Sequence, residues 1–189
     1  MLRQLSTAAA VAFFALPACI FVHELGHLSV AAANGWERKL FATRVVYYER
    51  EITDAQRLLF LAAGPLIDVL QMATGLLILR RLAKSPEPGR RPLFWFGTVL
   101  AFVSFKWLLT PVFALSVPGN DERQISEIIG LHTMALPALT GLAGAVLTAV
   151  LIRTQARTRT LWPLTMVLVF GGLGAATWEK ALGPLLFPL

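Results

Sequence analysis

The residues best suited to chemistry in this 189-residue chain are two histidines four positions apart, with a glutamate directly after the first: His23-Glu24-Leu25-Gly26-His27. On an α-helix, positions i and i+4 lie one turn apart on the same face, so both imidazoles can reach a single metal ion. Zinc takes histidine nitrogens at ~2.0–2.1 Å. It lowers the pKa of a bound water from 15.7 toward ~7, which supplies a nucleophile at neutral pH. Glu24 sits where it can hold that water and accept its proton, which makes it the expected general base. Gly26 keeps the helix slim where a substrate or another helix must approach. The cofactor expected from this pattern is one Zn2+ per chain. The bland alternatives are a polar cluster that only ties helices together and a haem-type ligand pair.

A catalytic zinc needs a third protein ligand and an open position for water. The candidates are His132, Asp68, Asp121, Glu122, Glu127 and Glu179. Asp121 is preferred on topology. The histidine motif lies in the second half of the first apolar helix, near the side where Trp36 to Thr53 emerges. The third apolar helix ends on that side, and Pro118-Gly119 breaks it so that non-helical backbone can turn inward where it lines a cavity. Asp121 could instead serve as N-cap for a segment from Glu122 to Gly130. Asp68 follows Ala63-Gly64-Pro65-Leu66-Ile67 inside the second helix, where it could orient a ligand imidazole from behind or be the third ligand itself. Lys106 reads as a snorkelling or paired charge with no assigned role, and Glu179-Lys180 as a pair near the interface.

The elements that must position these groups are membrane-spanning helices. Apolar residues make up 56% of the chain and charged residues 15%, and the mean hydropathy is +0.65. That leaves too little polar surface to coat a water-soluble particle. A hydrocarbon core of ~30 Å takes ~20 helical residues to cross. Five stretches are long enough: about Thr7–Ala33, Leu58–Leu79, Leu93–Val117, Met134–Ile152, and Leu161 to the carboxyl end. The expected fold is therefore all-α and multi-spanning, with about five transmembrane helices. These runs are continuous rather than alternating, which excludes a membrane β-barrel.

Between the first two helices, Lys39 to Glu49 is β-branched and aromatic and predicts a short strand or hairpin at the membrane surface. Its bland reading is an interfacial loop anchored by Trp36, Tyr47 and Tyr48. Its sharper reading is an edge strand that pairs with an extended peptide. Ser85 to Arg91 reads as a turn.

The net charge of +6 resides in clusters between apolar runs: Arg80, Arg81, Lys84, Arg90 and Arg91, then Arg153, Arg157 and Arg159. Such placement fits anionic headgroups of a lipid bilayer. No basic face with interleaved aromatics argues for nucleic acid. The one cysteine, Cys19, excludes an internal disulfide framework and a cysteine-rich zinc site. Leu16-Pro17-Ala18-Cys19 faintly resembles a lipoprotein processing box, but the apolar run continues past it to about Ala33, so an uncleaved transmembrane helix is expected.

With these residues placed, the chain resembles the site-2 protease family of intramembrane zinc metallopeptidases. The His23–His27 motif lies in a transmembrane helix. Gly64-Pro65-Leu66 falls in the next helix, where members often carry an Ala-Gly-Pro-Leu-Ala-Asn-like stretch, and an Asp near a proline and an asparagine follows the third. The resemblance covers roughly residues 15 to 130. It implies cleavage of membrane-spanning proteins within or next to their transmembrane segments, with a hairpin or loop after the first core helix gripping unwound substrate. It carries His23 and His27 over as zinc ligands, Glu24 as base, Asp121 as third ligand and Asn120 as a substrate-positioning residue. Asp121 is followed here by Glu122 rather than the family's glycine.

The expected organisation is one transmembrane metalloprotease domain over 1–189, with a core at about 7–130 and accessory helices at about 131–189. The expected location is a cell membrane of bacterial type, crossed several times. The basic excess on the amino-terminal side places that end in the cytoplasm, whereas the resemblance implies zinc nearer the cytoplasm, so orientation stays open. The alternative function is a non-catalytic metal-binding membrane protein, a carrier or assembly factor with a vestigial site.

Overall fold

The computed structural model describes residues 2–41, 43–48, 51–84, 92–117, 119–157 and 162–187. The turn expected at 85–91, the helix-breaking Pro118, Arg159, and residues 42, 49, 50 and 161 of the expected strand and fifth helix lie outside the described residues.

Helix α1 (Leu2–Ala33) begins a few residues before Thr7, and continues without a break through Pro17 and Cys19. It ends on a left-handed glycine. Gly35 has φ 69°, its N–H donates to Ala32 O at 3.0 Å, and Trp36 N–H donates to Ala31 O at 3.0 Å. This is the Schellman pattern, which needs a residue without a Cβ at that position and seats an apolar residue just after it against the last turn. Trp36 fills that role and is only 4% exposed, packed with Ala31, Phe60 and Leu61. It is therefore a core residue, not a headgroup anchor; Tyr48 remains exposed.

The segment that follows is a two-stranded antiparallel hairpin, β1 (Arg38–Phe41) and β2 (Arg44–Tyr47), with Arg38 opposite Tyr47 and Phe41 opposite Arg44. Helix α2 (Asp54–Leu82) starts on a reciprocal capping box between Thr53 and Gln56 and carries Arg80 and Arg81 in its last turn, both favourable for a helix end. Helix α3 (Pro92–Ser116) opens on a proline, whose missing N–H costs nothing at that position. A short polar helix, α4 (Asp121–Ile128), and a long apolar one, α5 (Ala135–Arg157), follow.

Among the described residues four helices, α1, α2, α3 and α5, are long and apolar enough to cross a membrane. α3 lies at the centre, packed against α5, α2 and α1. The expected fifth stretch is helical from Trp162 to Leu186 and packs on α1, but π turns at Val167–Gly171 and Trp178–Leu182 divide it. Two apolar clusters fill the space between α1, α2, α3 and α5. A third joins the end of α1, the hairpin, α2 and α4 through Trp36, Tyr47, Phe60 and Ile125. That third cluster roofs the histidine motif.

Candidate metal centre

His23, Glu24 and His27 are 6%, 7% and 4% exposed on α1. Helix α2 crosses directly over them. A Cβ at Gly26 would lie 2.8 Å from Ala63 O, and a Cβ at Gly64 would fall on the Nε2 atoms of both histidines. Close approach of the two backbones thus requires glycine, and at Gly64 the missing side chain leaves free the space in front of both imidazoles.

Asp121 reaches that space from α4. It is not the helix cap: Asn120 is, its Oδ1 accepting from Arg123 N–H at 3.1 Å. This leaves the Asp121 carboxylate, on the first helical residue, free to turn toward α1. Arg123 Nη1 donates to Ala114 O at 3.2 Å and Arg57 Nη2 to Gln124 Oε1 at 3.0 Å, fixing α4 against the end of α3 and the start of α2. The buried Ser126 hydroxyl accepts from Leu136 N–H at 3.1 Å and ties α4 to α5.

Three atoms converge as a result. Asp121 Oδ2 lies 3.6 Å from His23 Nε2 and 3.3 Å from His27 Nε2; the two Nε2 atoms are 3.3 Å apart. Ligand atoms ~2.0–2.1 Å from a tetrahedral metal are about 3.3–3.4 Å from one another, so the triangle has the dimensions of one face of such a site. The three residues can hold one metal ion.

The outer ring nitrogens show which face each imidazole offers. His27 Nδ1 is 2.7 Å from the Phe60 carbonyl oxygen. A carbonyl only accepts, so Nδ1 carries a proton, and the tautomer with that proton alone points its Nε2 lone pair into the centre. His23 Nδ1 is 3.1 Å from Asp68 Oδ1, which favours the same tautomer. Asp68 is 2% exposed; its other oxygen is 2.9 Å from Lys106 Nζ and 3.3 Å from Trp107 Nε1. It therefore lies behind His23, on the far side of the ring from Asp121, in the position of an outer carboxylate rather than a ligand.

A cleft of about 470 Å³ opens on the centre. Glu24 lines it, and so do Asn120, Lys106 and residues of β2. Tyr48 N–H donates to Glu37 O at 2.9 Å, so Val46 and Arg44 carry the alternate ladder bonds to β1, and Val45 and Tyr47 turn their backbone N–H and C=O outward. Among the described residues no third strand occupies that edge.

The remaining candidates stand elsewhere. His132 is exposed and its Nδ1 accepts from Met134 N–H. Glu127 pairs with Arg123, and Glu179 with Lys180. Glu122, adjacent to Asp121, is outside the ligand triangle. Sequence reasoning missed Phe60, whose contribution is a backbone carbonyl and leaves no side-chain signal, and Trp107, an indole in an apolar run.

No protein-family model matches this chain, nor does any curated protein or solved structure.

Proposed function

We propose that this protein is an intramembrane zinc metalloprotease of the site-2 protease type, an integral multi-pass membrane enzyme that cleaves membrane-spanning proteins within or beside their transmembrane segments. The observation that carries this reading is a buried triangle of two imidazole lone pairs and a carboxylate, sharing a cleft with an unpaired carboxylate and a free strand edge. Two nitrogens and an oxygen suit zinc, which accepts mixed N/O ligands and leaves a fourth position open in catalytic sites. Bound there, zinc would supply a Lewis acid and an acidified water.

The chain's own residues do the rest. The Glu24 side chain makes no hydrogen bond among the described residues and lines the cleft, so its carboxylate is free to take the proton of the attacking water and pass it to the leaving amine nitrogen as the C–N bond breaks. The carbonyls of a transmembrane helix are already hydrogen-bonded, so a substrate must be extended before it can be cut. The outward backbone groups of Val45 and Tyr47 can hold it so by strand addition. The four long apolar helices among the described residues support a setting in a bilayer, where such a substrate resides.

The test uses the purified full chain in detergent or nanodiscs, with metal analysis alongside cleavage of single-pass membrane substrates. Wild type should hold about one zinc per chain and cut, while Glu24→Gln keeps the zinc and loses cleavage. Zinc in both with cleavage in neither would sink the protease reading and leave a metal carrier or assembly factor.

A further inference from the structure

Lys106 is a cation in the middle of an apolar helix, where an ionisable group is costly unless it has a partner and a task. Its ammonium is 2.9 Å from Asp68 Oδ2 and 3.3 Å from His23 Nδ1, and its side chain is 47% exposed. The next residue, Trp107, directs its indole N–H at the same Asp68 oxygen, 3.3 Å away. Two donors from one turn of α3 thus share Oδ2, and the second oxygen, Oδ1, points at His23 Nδ1.

From this geometry we propose that Lys106 and Trp107 are positioning residues that clamp Asp68 in the orientation that prepares His23 to bind metal through Nε2. The inference rests on the metal reading of the His23–His27–Asp121 triangle.

A carboxylate can rotate about its bond to the side chain, and an unrestrained Asp68 would present either oxygen in any plane. With Oδ2 held by two donors, rotation is stopped and Oδ1 accepts from Nδ1–H. That hydrogen bond sets the tautomer, because a ring protonated on Nδ1 keeps its lone pair on Nε2. Lys106 also approaches Nδ1, but as a donor it would leave the proton on Nε2 and block the metal. The carboxylate contact is the shorter of the two, 3.1 Å against 3.3 Å.

A direct part in the chemistry does not fit Lys106, whose ammonium lies behind the imidazole, on the Nδ1 side, whereas the reacting groups gather at Nε2. A merely snorkelling lysine does not fit either. Snorkelling carries the charge toward water with no fixed partner, yet this ammonium, although its side chain is 47% exposed at the cleft, is held 2.9 Å from a carboxylate that is 2% exposed.

The test measures zinc affinity by chelator competition on the full chain in detergent. Lys106→Met should weaken binding by about 10–100-fold, the usual effect of removing an outer partner of a ligand histidine. Trp107→Phe should weaken it in the same direction but less. Both effects should vanish when Asp68 is already Ala, a result that general loss of packing would not produce. The visible spectrum of the cobalt-loaded protein should shift in Lys106→Met and be restored toward wild type in Lys106→Arg. Affinity equal to wild type in Lys106→Met, or an equal loss in the Asp68→Ala background, overturns the clamp. If Lys106→Met does not fold, Trp107→Phe is read against the same two outcomes. Absence of metal from the wild-type protein would overturn the metal reading itself, and the clamp with it.

Discussion

Two imidazole nitrogens and a carboxylate oxygen lie within 3.6 Å of one another on the wall of the cleft, and with both rings protonated on Nδ1 all three are acceptors. Lone pairs so arranged repel unless a cation lies between them, and the fixed outer hydrogen bonds of His27 and His23 prevent either ring from turning away. The ranking of the two aspartates follows. Asp121→Ala removes a ligand and should abolish stoichiometric zinc, whereas Asp68→Ala removes only an outer partner and should weaken affinity by about 10–100-fold. Competition titration of the two variants gives the order, and the reverse order would refute the assignment of Asp121. Gly64 offers a sharper probe. Alanine is the better helix former there, yet its Cβ would meet both Nε2 atoms. Gly64→Ala should therefore retain helical circular dichroism while losing metal; full metal occupancy in that variant would contradict the placement of the ion in front of Gly64.

The elements around the site each solve a local problem, and the site results from their combination. The left-handed Gly35 turns the chain so that the hairpin folds back over α1. The Asn120 cap frees Asp121 from the helix end. The hairpin then presents an edge that no third strand occupies among the described residues. Val45→Pro deletes an outward N–H and no ladder bond, so it should leave zinc content unchanged and raise KM for cleavage several-fold. Val46→Pro deletes a ladder bond and should disrupt the hairpin, lowering stability by about 0.5–1.5 kcal/mol, as expected for one lost, half-buried hydrogen bond. Equal kinetics for Val45→Pro and wild type would remove strand addition from the proposed mechanism. The strand was legible in Lys39 to Glu49 because β-branched and aromatic residues cluster there without a helical period. Which edge stays free was not, because register is a property of the pair.

For the molecule as a whole, the candidate ligands come from α1 and α4 and their outer partners from α2 and α3, so the proposed metal site exists only when these elements are assembled. An ion that binds the folded state alone stabilises it by about 2.7 kcal/mol at one hundred times its Kd. A chelator should accordingly lower the melting temperature of the wild-type protein in detergent and leave that of His23→Ala unmoved. An equal response in both would show that the ion acts elsewhere.

The apolar content, the long continuous runs and the spacing of His23, Glu24 and His27 were determined by sequence alone, because hydropathy and helical period act between near neighbours. Helix ends were mostly legible for the same reason, as in Asn34-Gly35. Only tertiary structure could show that Asp121 joins the histidines while Asp68 stands behind one of them, that Trp36 is core, and that the Phe60 carbonyl and the bare Gly64 shape the site. Each of these depends on distances between segments far apart in the chain. Those distances are set by how closely α2 can lie on α1 and by where α4 is pinned, and no local pattern encodes them.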